Sequence, residues 1–242
     1  MAFLDGWNSS LLMGGYDLTS WLKSAEVTKS MDVNERTTWG NGGNRSYRPG
    51  LVDGKVSFNR FDDEGDGAGV DGVAEILRSY IRVNGTPVTI SDDVVAVGGS
   101  TIMLNAILAD SKRSGDFEGI REGANEIQST GGMEDGVWLK TLAAETSNTN
   151  GSSVDNGAAT TVGWVAHQHV TAKSGTSPSL TTLIEHSTDN STWATLTTFT
   201  ATGVVGSERR TGAGTVNRYR RRRSTITGTT PSLTHAVALA TY

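Results

Sequence analysis

The chain has 242 residues, 36% of them hydrophobic, with 30 glycines, 4 prolines and no cysteine. Without cysteine there is no disulfide framework, thiolate metal site or cysteine nucleophile, and no stretch approaches the roughly 20 apolar residues that cross a bilayer. The net charge of −5 hides an asymmetry, because residues 1–150 carry 22 acidic and 13 basic side chains while residues 151–242 carry 4 and 8. Opposite signs suggest that the two halves face different surroundings.

A low apolar fraction with many Thr, Val and Gly points to half-buried strands and tight turns, not a helical bundle. The start, Met1-Ala2-Phe3-Leu4-Asp5, has neither a basic region nor an apolar run, so no signal peptide is expected. Residues 33–50, VNERTTWGNGGNRSYRPG, read as a long loop or loose hairpin. Arg36, Trp39, Arg45, Tyr47 and Arg48 stand in it, and these residue types are favoured at interface hot spots. Lys55 to Asn59 alternates polar and apolar residues, as a half-buried strand does. A helix is expected from Val70 to about Arg82, with Val70, Val73, Ala74, Leu77 and Ile81 as its apolar stripe. Asp71 would cap it, Arg78 and Arg82 would suit its C-terminal end, and Asn84-Gly85-Thr86-Pro87 would stop it. Thr101 to Leu108 is apolar on both faces, as a central strand would be. Glu122, Ala124, Glu126 and Gln128 share one face of a further strand by its period of two.

Glu145 to Thr161, ETSNTNGSSVDNGAATT, has Val154 as its only sizeable apolar residue and reads as a flexible linker. The expected organisation is therefore a first domain over 1–145, a linker over 146–160 and a second domain over 161–242. The second domain holds a repeat, Gly175-Thr176-Ser177-Pro178-Ser179-Leu180-Thr181 and Gly228-Thr229-Thr230-Pro231-Ser232-Leu233-Thr234. Each copy lies between β-rich runs, so each is expected to turn a hairpin in a small antiparallel sandwich.

Chemistry is sparse. His167 and His169 are two apart and would share a strand face, but no acidic cluster completes a metal shell. Asp62, Glu64, Asp66 and Gly67 match the start of an EF-hand loop, yet Val73 stands where a bidentate Glu is required. An acidic solvated turn is the simpler reading. No nucleophile elbow, phosphate loop, zinc-protease motif or dinucleotide fingerprint occurs, so no enzyme, metal or cofactor is expected. Arg218-Tyr219-Arg220-Arg221-Arg222-Arg223 could bind a polyanion, but alternate strand residues point to opposite faces, which favours edge protection or salt bridging.

The ordered motifs resemble a known family. AHQHVTAKSGTSPSLTTLIEHSTDNSTW followed by GTVNRY and GTTPSL is similar to the C-terminal β-sandwich appended to tail tube proteins of long-tailed, siphovirus-type bacteriophages. The match departs from that pattern at Arg220, Arg222 and Arg223. The opening Gly15-Tyr16-Asp17-Leu18-Thr19, then Thr37-Thr38-Trp39-Gly40, Tyr47-Arg48-Pro49-Gly50-Leu51 and Asp53-Gly54-Lys55-Val56, resembles the tail tube domain more loosely.

The resemblance implies a mainly β chain: a tail-tube β-sandwich with one α-helix, a linker, and a small antiparallel β-sandwich on the tube exterior. It implies a structural virion protein in the phage tail. Hexameric rings would stack into a tube through the loop holding Arg36, Trp39, Arg45, Tyr47 and Arg48. Its partners would be copies of itself, the tape measure and tail terminator proteins, and double-stranded DNA in passage, with no membrane. Glu122, Glu126 and Gln128, on a face with no large apolar residue, would then point into the lumen. Two alternatives stay open: a secreted or surface carbohydrate-binding module, and another virion part such as a distal tail or decoration protein.

Overall fold

The computed structural model describes residues 9–62, 72–91, 95–115 and 120–242. The chain is mainly β, and the described residues contain one α-helix. In chain order the elements are β1 (Leu11–Met13), β2 (Tyr16–Asp17), β3 (Leu22–Glu35), β4 (Tyr47–Phe61), α1 (Val73–Tyr80), β5 (Thr86–Ser91) and β6 (Ser100–Ser114). There follow β7 (Glu122–Glu145), β8 (Thr149–Asn150), β9 (Val154–Asp155), β10 (Gly163–Ser187), β11 (Ala194–Thr198), β12 (Gly206–Ala213) and β13 (Tyr219–Thr241). No described helix is long and apolar enough to cross a membrane.

Compactness divides the chain into two units, but not at residues 145–160. The first unit takes the described residues up to Ser20, Thr86–Met103 and Glu134–Tyr242; the second takes Trp21–Gly85 and Leu104–Met133. Strands β6 and β7 each contribute one part to each unit.

In the first unit, β13 is central. It pairs antiparallel with β10 on one side and with β7, β8 and β9 on the other. Both of its faces are covered. Val237 and Leu239 pack with Trp164, Ile184 and Phe199, while Ala236, Ala238 and Ala240 pack with Trp138, Met103 and Leu12. A strand buried on both faces reads as a continuous apolar run, which is what AVALA is. Residues 146–160, expected as a flexible linker, are instead laid along β13 and the residues that lead into it. Gly151 N–H donates to Arg222 O at 2.8 Å, Asn156 N–H to Arg218 O at 3.1 Å, and Thr160 N–H to Val216 O at 2.9 Å. Val154 packs against the Trp164 cluster. The segment needs little apolar surface of its own because β13 supplies its backbone partners.

The repeat does not turn two separate hairpins, as expected. Its copies lie inside β10 and β13 and face each other, with Thr176 opposite Thr229, Ser174 opposite Ser232 and Ser179 opposite Thr227. Both copies bulge at the same level. Ser177 and Thr230 have φ of 49° and 46°, and Gly175 and Gly228 have φ of 96° and 124°. A Cβ on Gly175 would stand 2.4 Å from the Thr230 carbonyl oxygen, and one on Gly228 2.8 Å from that of Ser177. The two glycines therefore serve both conformation and close approach.

In the second unit, β4 pairs antiparallel with β3 and with the first part of β7. Val56, Phe58, Leu104, Leu108 and Ile127 are buried, and α1 adds Val73, Ala74, Ile76 and Leu77. The helix is shorter than expected. Ile81 is already extended and Arg82 has φ of 75°, so the helical ladder ends at Tyr80. Gly72 holds the N-cap position, while Asp71 and Val70 lie outside the described residues.

Candidate functional site

Two surfaces of the second unit hold the residues singled out from the sequence. The first is an arm. β3 and β4 remain paired from Leu22–Arg60 out to Glu35–Tyr47, so residues 33–50 are a long hairpin with its tip at 36–46. The tip is braced from inside. Arg36 N–H donates to Ser46 O at 2.7 Å, Thr37 Oγ1 donates to Glu35 Oε1 at 2.6 Å, and Ser46 N–H donates to Thr37 Oγ1 at 3.3 Å. A 3-10 turn over Trp39–Asn41, closed by left-handed Gly42, carries Trp39 fully into solvent, at 106% exposure. Arg36, Arg45, Tyr47 and Arg48 are exposed beside it, and the three arginines form no ion pair among the described residues.

The stem of the arm was not legible as a site. Val27 lies opposite Val56, and four residues on, past Lys29 opposite Gly54, the same side of the ribbon holds Met31 opposite Val52. Val56 is fully buried, whereas Met31 and Val52 are about half exposed, with Val33 and Leu51 more so. The apolar side of the ribbon thus runs on beyond the core that covers its base. Sequence periodicity reports apolar faces but not where their cover stops.

The second surface is polar. Along β7, Gly123, Asn125 and Ile127 are buried, while Glu122, Ala124, Glu126 and Gln128 are open or half-open, as the alternation predicts. Rows of side chains cross the strands: Glu26, Ser57 and Glu126 are in register, as are Ser24, Asn59 and Ala124. A hollow of about 380 Å³ lies over these rows. Both glutamates are paired. Lys23 Nζ stands 2.6 Å from Glu122 Oε1, and Lys55 Nζ 2.5 Å from Glu126 Oε2. Gln128 Nε2 donates to Asp53 Oδ1 and, at 3.1 Å, to Gly54 O. The surface is a mixed-charge face.

Behind it, the guanidinium of buried Arg60 occupies the space that a side chain on Gly123 would fill. It holds Asp62 Oδ1 at 2.8 Å, and Arg113 Nε lies 3.3 Å from Asp62 Oδ2. Asp62, the first position of the EF-hand-like run, is thereby occupied by arginines. Residues 63–71 lie outside the described residues.

In the first unit, His167 and His169 are fully buried. His169 Nδ1 lies 2.8 Å from Gly14 O and must donate to it. Its Nε2 therefore accepts from the Thr89 hydroxyl at 2.9 Å, and the Thr89 oxygen accepts from His167 Nδ1 at 3.1 Å. Burial pushes His169 down to about 4; burial, then His169 and Arg209, hold His167 well below its ordinary value. The pair binds strands together as neutral rings. Among the described residues no group of three His, Asp or Glu could hold a metal.

The arginine run is not on an edge strand, since β13 has partners on both sides. Four of its five cations are internally paired. Arg218 makes two 2.6 Å bonds to Asp155. Arg221 bonds Glu185 at 2.8 Å and lies over Trp193 at 4.1 Å, and Arg223 shares Glu185 at 3.6 Å. Arg222 pairs with Glu145 and donates to Ser224 Oγ at 2.9 Å. Arg220, opposite His186, is buried without a carboxylate partner among the described residues and donates through Nε to Asn217 O at 3.4 Å, and burial pulls it down to about 10. Salt bridging therefore accounts for the other four arginines, and edge protection does not account for the run.

No family model matches the sequence, and no curated protein matches it. Among solved structures, the chain is similar to a protein of the virion of the native gene transfer agent particle. The identity is 12% and the TM-score 0.43, over 55% of this chain and 98% of that one. It is similar to the SPP1 tail tube at 15% identity and a TM-score of 0.44, over 55% and 78%. It is also similar to the SPP1 Dit (gp 19.1) protein, described as a paradigm of the hub adsorption apparatus in phages infecting Gram-positive hosts. That likeness has 14% identity and a TM-score of 0.39, over 97% and 99%.

Proposed function

We propose that this chain is the structural subunit of a bacteriophage tail tube, assembling with copies of itself into stacked, hexameric rings through which double-stranded DNA passes during ejection. The observation that carries this reading is the arm. A two-stranded ribbon cannot supply its own cover, and an isolated hairpin is at best marginally stable in water. Here the ribbon extends past its core with Met31, Val33, Leu51 and Val52 open along the stem and Trp39 open at the tip. A neighbouring copy would cover it, with the arm as the contact between one ring and the next. The ordered sequence motifs point to the same family. Tape measure and tail terminator proteins would be the further partners, and the role would be structural.

Electron microscopy of the purified protein tests the reading: tubes or stacked rings are expected. Trp39→Ala with Arg45→Ala should leave a folded protein that no longer polymerises. Normal tubes from that double variant would remove the arm from the contact.

In the same reading Glu122, Glu126 and Gln128 line the lumen. Phosphate contacts by Lys and Arg give strong, salt-dependent binding to DNA. Glu122 and Glu126 each hold a lysine that would otherwise be free to make one. Replacing both by Gln would release Lys23 and Lys55. Tubes of that variant should retain DNA during ejection at low salt and lose the defect as screening shortens below about 10 Å above 0.1 M. Ejection kinetics that match the parent at every salt would exclude this face from the DNA path.

A further inference from the structure

The sequence contains four Asn-Gly pairs, Asn41-Gly42, Asn84-Gly85, Asn150-Gly151 and Asn156-Gly157. An asparagine before glycine is chemically labile, because the glycine nitrogen has no neighbouring side chain to block its approach to the asparagine amide carbon. In a folded chain the reaction also requires that this nitrogen be free and the backbone able to bend.

The structure sorts these pairs. At 150–151 the glycine N–H donates to Arg222 O at 2.8 Å, and Asn150 is itself in register with Arg223. At 156–157 the glycine N–H donates to Asp155 Oδ1 at 2.8 Å, Asn156 N–H donates to Arg218 O at 3.1 Å, and Asn156 Nδ2 donates to Ala158 O at 3.3 Å. Both pairs are tied to β13 or to their own turn. Asn84-Gly85 is different. Asn84 is exposed in the connection between α1 and β5, and Gly85 has φ of 79°. Neither the Asn84 amide nor the Gly85 N–H is hydrogen-bonded to a described residue. The side chain of Asn41 lies outside the described residues.

We propose that Asn84 is a site of spontaneous covalent modification, deamidation to aspartate and isoaspartate, in the folded protein. The Gly85 nitrogen gives its proton to solvent base and attacks Asn84 Cγ. The new C–N bond closes a five-membered succinimide as the side-chain nitrogen leaves as ammonia. One water then opens the ring at either carbonyl, so one water enters, one ammonia departs and no oxidant is needed. The product places a carboxylate just beyond the C-terminal end of α1, where the helix dipole disfavours it. The isoaspartate form also lengthens the main chain by one carbon ahead of β5, whose six residues are all buried. Each copy would thus carry a mark of its age, whether or not the chain assembles into tubes.

Peptide mapping by mass spectrometry, on intact protein held at mildly alkaline pH, tests this. Asn84 should convert at least about tenfold faster than Asn150 or Asn156, a factor that an opening cost of ~1.4 kcal/mol at the latter two would produce. In denaturant the three sites should convert at similar rates, which shows that the fold sets the order. Asn84→Gln should abolish the early product. Conversion of Asn150 or Asn156 as fast as Asn84 in the folded protein overturns the proposal, as does a folded Asn84 that stays intact while the denatured chain converts.

Discussion

Two long antiparallel ladders dominate the chain, and they differ in what lies above and below them. β10 and β13 pair from Trp164–Thr241 to Ser187–Tyr219, with apolar clusters on both faces of β13. β3 and β4 pair from Leu22–Arg60 to Glu35–Tyr47, yet their outer half is open on both faces. Both are antiparallel backbone ladders. The contrast teaches that a ladder fixes the path of the chain while face cover fixes its stability.

The sharpest test of that contrast removes a buried cation. Arg222→Ala would leave Glu145 in a largely buried place without its partner, and the expected loss is about 3–5 kcal/mol in denaturant unfolding. A loss below about 1 kcal/mol would show that Glu145 is reached by water. Next, Leu233→Ala should cost about 2–5 kcal/mol, because Leu233 is fully buried with Val170, Leu180 and Ile226. Leu51→Ala in the arm should stay within about 0.5 kcal/mol of the parent in unassembled protein. Equal losses would erase the distinction between the ladders.

Acid should weaken the first ladder more than the second. His169 titrates near its ordinary 6.5 when unfolded and at about 4 when folded. As pH falls through that window the unfolded chain takes up a proton that the folded chain refuses, so stability is full above about 6.5, declines between, and levels off below 4. His169 alone contributes at most about 3 kcal/mol to this decline. His235, pushed by burial to about 3, acts in the same direction. His169→Gln should flatten the pH profile of the melting temperature; an unchanged profile would place the acid response elsewhere. The smallest effect is expected on the polar face, where Lys23→Ala removes an exposed pair with Glu122 and should cost less than about 1 kcal/mol. Limited proteolysis gives a further ordering: the 36–46 tip should be cut before residues 146–160, and the reverse order would mean that the bridges to β13 do not hold.

Much of this was legible in the sequence. Alternation at Lys55–Asn59 and at Glu122–Gln128 reports strand faces because side-chain direction has period two. The exposed aromatic and arginines of the arm tip stood out by residue type. The partners did not. Residues 146–160 carry no local sign of order, since what orders them is the backbone of Arg218 and Arg222, far along the chain. In sequence His167 and His169 show only a shared strand face, and their structural role appears because Thr89 and Gly14 are brought to them. Edge protection stood beside salt bridging as a reading of the arginine run because nothing local reveals that β8 and β9 lie along its other side.

The facing repeat copies have a consequence resembling that of a reading frame. Between Ser174–Ser232 and Ser179–Thr227 both strands advance by the same number of residues, so the register before the bend is the register after it. Deleting one residue from either copy would shift every pair on one side of the bend and turn inward side chains outward. Deleting the matching residue from the other copy as well would bring the strands back into phase. Two lesions, each disabling alone, would then suppress one another.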